Sequence, residues 1–133
     1  MSKVSTDPIS DMLARIRNAN AVNKNQIVLP HSGIKESVAR VLAKSNFIIS
    51  VAVEGKNQDK RLVLTLSSSD SSSKITSIKR LSKPGRRIYA GSKDIPWVKQ
   101  GRGIVIISTA NGILSGDEAK RLNLGGELIC EVY

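Results

Sequence analysis

The stretch SSSDSSS, Ser67 to Ser73, constrains the fold more than any other feature of this chain. It carries nothing to bury and reads as a solvated linker. On that reading it divides 133 residues into halves of about 65, too short to bury a large share of their own surface. Each half must then lean on the other or on a partner. The alternative is an exposed loop inside one continuous domain. The 40% hydrophobic and 24% charged content is ordinary for a globular chain and supports a modest core in either case.

The first half alternates helix and strand signals. Asp7-Pro8 is a helix start, because Asp caps free backbone N–H groups and Pro is tolerated at the first helical position. Ile9, Met12, Leu13 and Ile16 follow at helical spacing, with Asp11, Arg15 and Asn18 largely opposite, and the helix is expected to end near Asn20. Gln26 to Leu29 reads as a short strand. A second helix is expected after Pro30, capped by Ser32, with Ile34, Val38, Val41 and Leu42 on its buried face and an end near Ser45-Asn46. Phe47 to Val53 and Arg61 to Leu66 are strand candidates joined by the polar GKNQDK, which makes this half α-β-α-β-β.

The second half reads as mostly β with short helices. Strand candidates lie at Lys74 to Ile78, Arg87 to Ala90, Gly103 to Ser108 and Glu127 to Val132, with Lys83-Pro84-Gly85 as a turn and one helical turn at Asp94 to Val98. Ser115 and Glu118 fit a capping box ahead of a short helix to about Leu122. The expected fold class is therefore α+β, with two small packed domains: 1–66, the linker 67–73, and 74–133.

Charge narrows the function. The net charge is +10 and the pI near 10.1, an excess that points to a polyanionic partner. Residues 1–66 carry 10 basic and 5 acidic side chains, residues 67–133 carry 11 and 6, and Lys74 to Arg102 holds nine basic residues against Asp94 alone. No basic amphipathic helix with apolar anchors suggests a membrane surface, and no apolar run of spanning length occurs. Nucleic acid remains. Aromatic content of only 3% argues against a base-stacking sheet and for a reader of structured nucleic acid by charge, shape and small polar groups. Tyr89, beside Arg86-Arg87, is either the one aromatic placed to stack on a base or a half-buried strand residue.

Catalysis has little to work with. His31 is the single histidine and reads as a surface turn residue, Cys130 is the single cysteine, and no Walker spacing frames the glycines. No catalytic residue, metal site or cofactor is expected, and a metal-dependent basic nuclease is the enzyme alternative. The lone cysteine and the absence of an apolar leader suit a reducing, cytosolic or organellar compartment.

Three segments carry a family resemblance. Residues 7–19, DPISDMLARIRNA, resemble the opening of small-subunit ribosomal protein eight of the bacterial and organellar type. Residues 83–89, KPGRRIY, resemble its central signature, and residues 103–115, GIVIISTANGILS, with 125–130, GGELIC, resemble its C-terminal one. The resemblance implies a two-domain α+β protein that binds the central domain of 16S-type ribosomal RNA and helps organise the platform of the small subunit. It implies RNA contacts at Ser108 and Thr109, surrounded by Ala110, Asn111, Tyr89 and the Gly125-Gly126-Glu127 bend. Lys83, Arg86 and Arg87 would supply positive charge, and Arg15, Arg17 and Asn18 secondary contacts. Proteins five and twelve of the same subunit are the implied neighbours, and the protein's own operon messenger RNA is an alternative target. Ala110 departs from the family pattern by standing where many members carry a further serine.

Overall fold

Asp7 starts the first helix as its chemistry requires. The computed structural model of the protein describes residues 7–67 and 75–133. In it α1 spans Pro8–Ala21, and the Asp7 carboxylate accepts a hydrogen bond from the Ser10 N–H. Ile9, Met12, Leu13, Ile16 and Ala19 form its buried stripe. The strand β1 (Gln26–Pro30) leads to α2 (Gly33–Lys44), where Ser32 Oγ accepts from the Lys35 N–H. The inward face of α2 is rotated from the expected one: Lys35, Val38, Ala39 and Leu42 are buried, Val41 is half-buried and Ile34 is exposed. Lys35 takes a place on that face, and burial there pushes its ammonium below its ordinary value of 10.5.

The strands β2 (Ser50–Glu54) and β3 (Arg61–Thr65) complete a three-stranded antiparallel sheet of order β1-β3-β2. A 3-10 turn at Asn57–Asp59 lies in their connection. Leu62, Val63 and Leu64 of the central strand are all buried. Phe47 to Ile49 precede β2 instead of joining it, although the Ile49 N–H still reaches the Thr65 carbonyl at 2.8 Å.

The remaining strands are β4 (Ile78–Arg80), β5 (Tyr89–Ala90), β6 (Ile104–Thr109), β7 (Gly112–Ser115) and β8 (Gly126–Val132), with α3 (Gly116–Arg121) between the last two. They form an antiparallel sheet of order β4-β8-β6-β7, in which β5 also pairs with β8. Ser115 Oγ caps α3 by accepting from the Glu118 N–H. The Glu118 carboxylate does not return to complete a capping box; it pairs with Lys44 of α2 at 2.7 Å.

The strand expected at 74–78 begins later, at Ile78, and Lys74 lies outside the described residues. Most of the serine-rich stretch, 68–73, also lies outside them. Ser67 is buried and its hydroxyl bonds Asn25 Oδ1 at 2.8 Å, so the first serine is not solvated. The single helical turn expected at 94–98 is replaced by two 3-10 turns, Ser92–Asp94 and Lys99–Gly101. Pro96 explains the gap. A residue before proline avoids the helical region, and Ile95 is extended at φ −67°, ψ 121°.

The three α-helices among the described residues end alike. Asn23, Asn46 and Asn123 each take positive φ, and the next residue's N–H bonds a carbonyl five residues back: Lys24 to Ala19, Phe47 to Leu42, Leu124 to Ala119. These are Schellman closures with asparagine in the place glycine often takes.

One apolar cluster draws on both sheets. Met12, Leu13, Ile16, Val38, Leu42 and Leu64 share it with Ile75, Ile78, Ile106, Ile129, Cys130 and Val132. A second cluster, with Val105, Ile107, Ala119 and Leu128, covers the other face of the larger sheet. A bulge between Ile106 and Ile107 disturbs the β6–β8 register, and as a result Ile129 and Cys130, though adjacent, both join the shared cluster. The Ile129 carbonyl accepts from the Leu81 N–H at 2.9 Å and from Arg80 Nη1 at 2.6 Å. Arg80 also grips both oxygens of Asp7, at 3.2 and 3.3 Å, with side chains only 10% and 16% exposed. Burial works against the Asp7 charge, but Ser10 and Arg80 outweigh it and hold the carboxyl below its ordinary value of 3.8.

Candidate nucleic-acid interface

The end of the β6–β7 hairpin gathers most of the polar residues singled out in the sequence. Ser108 lies opposite Glu127 of β8 on one side and Ile113 of β7 on the other, and Glu127 lies opposite Tyr89 of β5. Residues directly opposite in an antiparallel sheet project from the same face. Tyr89, Glu127 and Ser108 therefore form one lateral row. Ala90, Gly126, Thr109 and Gly112 form the next.

That second row is close because Gly126, at its centre, has no side chain. A Cβ on Gly126 would collide with the Ser108 carbonyl, and one on Gly125 would lie 2.6 Å from the Ala90 carbonyl. The two glycines let β5 and β6 close on either flank of β8.

The turn is closed by its own threonine. Thr109 Oγ1 donates to the Gly112 carbonyl at 2.8 Å and accepts from the Asn111 N–H at 3.1 Å. Gly112 takes φ +111°, while Asn111 does not have positive φ. Ala110, Asn111 and Gly112 are exposed. The Ser108 hydroxyl has no hydrogen-bond partner among the described residues, so its donor and acceptors are available to a ligand.

The neighbouring loop is pinned by Ser82. This fully buried serine accepts from the Ile88 N–H at 2.7 Å and donates to the Ile88 carbonyl at 3.1 Å. Between these points Lys83 and Arg86 exchange both backbone bonds, at 2.9 and 2.8 Å, which makes the expected turn a tight one. Lys83, Arg86 and Arg87 are exposed on it, and Arg87 Nη1 pairs with Glu127 Oε2 at 3.0 Å. The one carboxylate in the row is thereby neutralised. Tyr89 is 68% exposed, so it is not the half-buried strand residue of the second reading.

The residues of α1 stand apart. Arg17 Nη2 donates to the Ile78 carbonyl at 2.7 Å and so joins the two sheets' surroundings, whereas Arg15 pairs with Asp11 at 3.4 Å. Arg15 and Asn18 line a groove of about 470 Å³ with Val22, Lys24 and Val28. No local pattern marks Ser82 or Arg80 as organisers, nor Arg40 and Lys44. These two line a groove with Ile113 and Leu114 and bring α2 cations beside the hairpin, through packing between the halves that no local pattern encodes.

His31 is not a free turn residue: its Nε2 meets Glu36 at 2.8 Å, and His31 and Arg40 together hold the Glu36 carboxyl below its ordinary value. Among the described residues no group of three His, Cys, Asp or Glu could hold a metal ion, and no helix is long and apolar enough to cross a membrane.

Comparison with known proteins adds a second line. A family model described as "Ribosomal protein S8" matches residues 7–133. The chain is 45% identical over 126 residues to the small ribosomal subunit protein uS8 of Coxiella burnetii, covering 95% of this chain and 97% of that protein. It is 44% identical over 128 residues to the uS8 of Rubrobacter xylanophilus (96% and 97% covered), and 40% identical to that of Mycoplasma mobile over the full length of both.

Proposed function

Because the chain belongs to the ribosomal protein S8 family, we propose that it works as a structural constituent of the small ribosomal subunit by holding ribosomal RNA at the hairpin end of its larger sheet. The target in this reading is a helix in the central domain of 16S-type RNA, bound during assembly of the platform, with proteins five and twelve as neighbours. The family's role is structural, with no catalytic step.

The observation that carries the reading is the unpaired Ser108 hydroxyl on a turn already closed by Thr109, in one row with Glu127 and Tyr89 and bordered by Lys83, Arg86 and Arg87. The cations hold phosphates and give affinity with little sequence discrimination. Ser108 donates to or accepts from a base edge, Tyr89 stacks, and Thr109 fixes the turn that presents them. Gly112 and Gly126 let the RNA and the strands approach closely. Arg87 keeps the Glu127 carboxylate from repelling the phosphates while leaving it able to accept a hydrogen bond from a base.

Titrating the pure protein against a central-domain RNA helix and against a random duplex of equal length tests this. Ser108→Ala is expected to weaken binding to the cognate helix roughly 5- to 10-fold, the net worth of one or two hydrogen bonds, and to leave the random duplex unchanged. Thr109→Ala should weaken it further by loosening the turn, and Thr109→Ser should restore it. Equal losses on both RNAs would remove the turn from the specifying surface.

A further inference from the structure

Trp97 has no part in the surface just described. It is 67% exposed, and the Lys120 ammonium sits over its ring at 3.7 Å from the centroid. A single exposed apolar residue needs no partner to explain it, but an indole this open with an ammonium already on its ring is a different case. Its neighbour Val98 is buried and accepts through its carbonyl from the Gly103 N–H at 3.1 Å, which anchors it at the far end of β6. Thr109 closes the other end of that strand, roughly 20 Å away at the usual rise per residue. Val98, next to Trp97, and the hairpin turn therefore mark opposite ends of β6.

The backbone after Trp97 is held in an unusual course. Lys99, Gln100 and Gly101 take φ of 48°, 56° and 91°, three consecutive residues in the left-handed region that side chains disfavour. Backbone of this kind persists where the surroundings over-determine it and collects at binding sites. Here it turns the chain so that Lys99 reaches over the Tyr133 ring, 4.5 Å from its centroid, beside Arg102. The result is an exposed aromatic ring with Lys120 on it and Lys99 and Arg102 following within five residues. Lys74 to Arg102, the most basic part of the chain, runs up to this point.

We infer that the surface centred on Trp97 is a second RNA contact, one that stacks an unpaired base on the open side of the indole while Lys120, Lys99 and Arg102 meet the flanking phosphates. An aromatic platform beside cations is the pairing that single-stranded nucleic acid needs, and it tolerates any base because every base presents a π-face. Duplex offers no free face to Trp97, so the contact falls on a single strand flanking the helix that the hairpin end engages. The inference rests on the proposed function.

Trp97 is the only tryptophan of the chain, so its fluorescence reports on its own site. The full-length protein would be titrated with octauridylate, with the blunt cognate helix, and with that helix extended by a single-stranded tail. Quenching by octauridylate and by the tailed helix, but not by the blunt helix, is the expected pattern. Trp97→Ala should weaken octauridylate binding roughly 5- to 100-fold and leave the blunt helix unaffected, with Trp97→Phe intermediate. Lys120→Met should lower the salt slope for octauridylate by about 0.7.

No quenching by either single-stranded RNA, with octauridylate affinity unchanged in Trp97→Ala, overturns the inference. Blunt-helix affinity, read by filter retention of labelled RNA because that helix is expected not to quench, tests the proposed function separately: no retention, with octauridylate still quenching, refutes that reading and keeps the Trp97 contact.

Discussion

Ser82 shows how a single hydroxyl can organise a surface it never reaches. It is fully buried, satisfies both backbone groups of Ile88, and so clamps the loop bearing Lys83, Arg86 and Arg87. Ser82→Ala leaves the Ile88 N–H without that acceptor, and a buried unsatisfied donor costs about 1–3 kcal/mol. Urea denaturation is expected to show a loss of that size, and a loss below about 0.5 kcal/mol would mean that solvent replaces the hydroxyl. The sequence offered no cue here, because nothing local separates this serine from its polar neighbours. Ser108 was legible as a hydroxyl at the end of an apolar run. Its freedom and the internal commitment of Thr109 were not, since both depend on where Gly112 folds back.

At the scale of elements, the helix starts were the most readable features. Asp7, Ser32 and Ser115 each cap as their chemistry dictates, and asparagines close all three helices. What remained hidden is what the caps do beyond their own helix: Glu118 turns away to Lys44, and Asp7 also holds Arg80. The short strands shifted by a few residues because cross-strand pairing, not local preference, sets their limits. The Asp7 tie has a pH signature. Its carboxyl is held below 3.8 in the folded state, so its contribution is fully present above that value and is lost as pH falls through the folded pKa. Asp7→Asn keeps a capping side chain but leaves Arg80 without its carboxylate, and is expected to cost about 2 kcal/mol at pH 7. Below the folded pKa the variant and the natural protein should converge. Thermal melts from pH 2 to 7 check this, and parallel curves across that range would show that Asp7 does not titrate with folding.

For the whole molecule, the decisive fact is a cluster built from both sheets, in which Cys130 packs with residues of α1 and α2. The sequence showed that each half needs a cover, from size alone, but not which faces meet. Burial pushes the Cys130 thiol up to about 12, so at pH 8 it is protonated as well as sealed. A thiol reagent should therefore label it only through opening, at least about 1000-fold slower than in the unfolded chain, and fast labelling of the native protein would deny that the shared core is closed. The same cluster changes the meaning of the stretch that divides the sequence. Arg80 with Asp7, Arg17 with the Ile78 carbonyl, and Lys44 with Glu118 cross between the halves at separate places. None of them needs the peptide chain to run continuously through residues 68–74. Cleavage within residues 68–74 is therefore expected to leave the two pieces associated in size-exclusion chromatography, and separate elution would mean that these contacts alone do not hold them. On that expectation recognition between the pieces resides in their surfaces, and a covalent link adds only effective concentration.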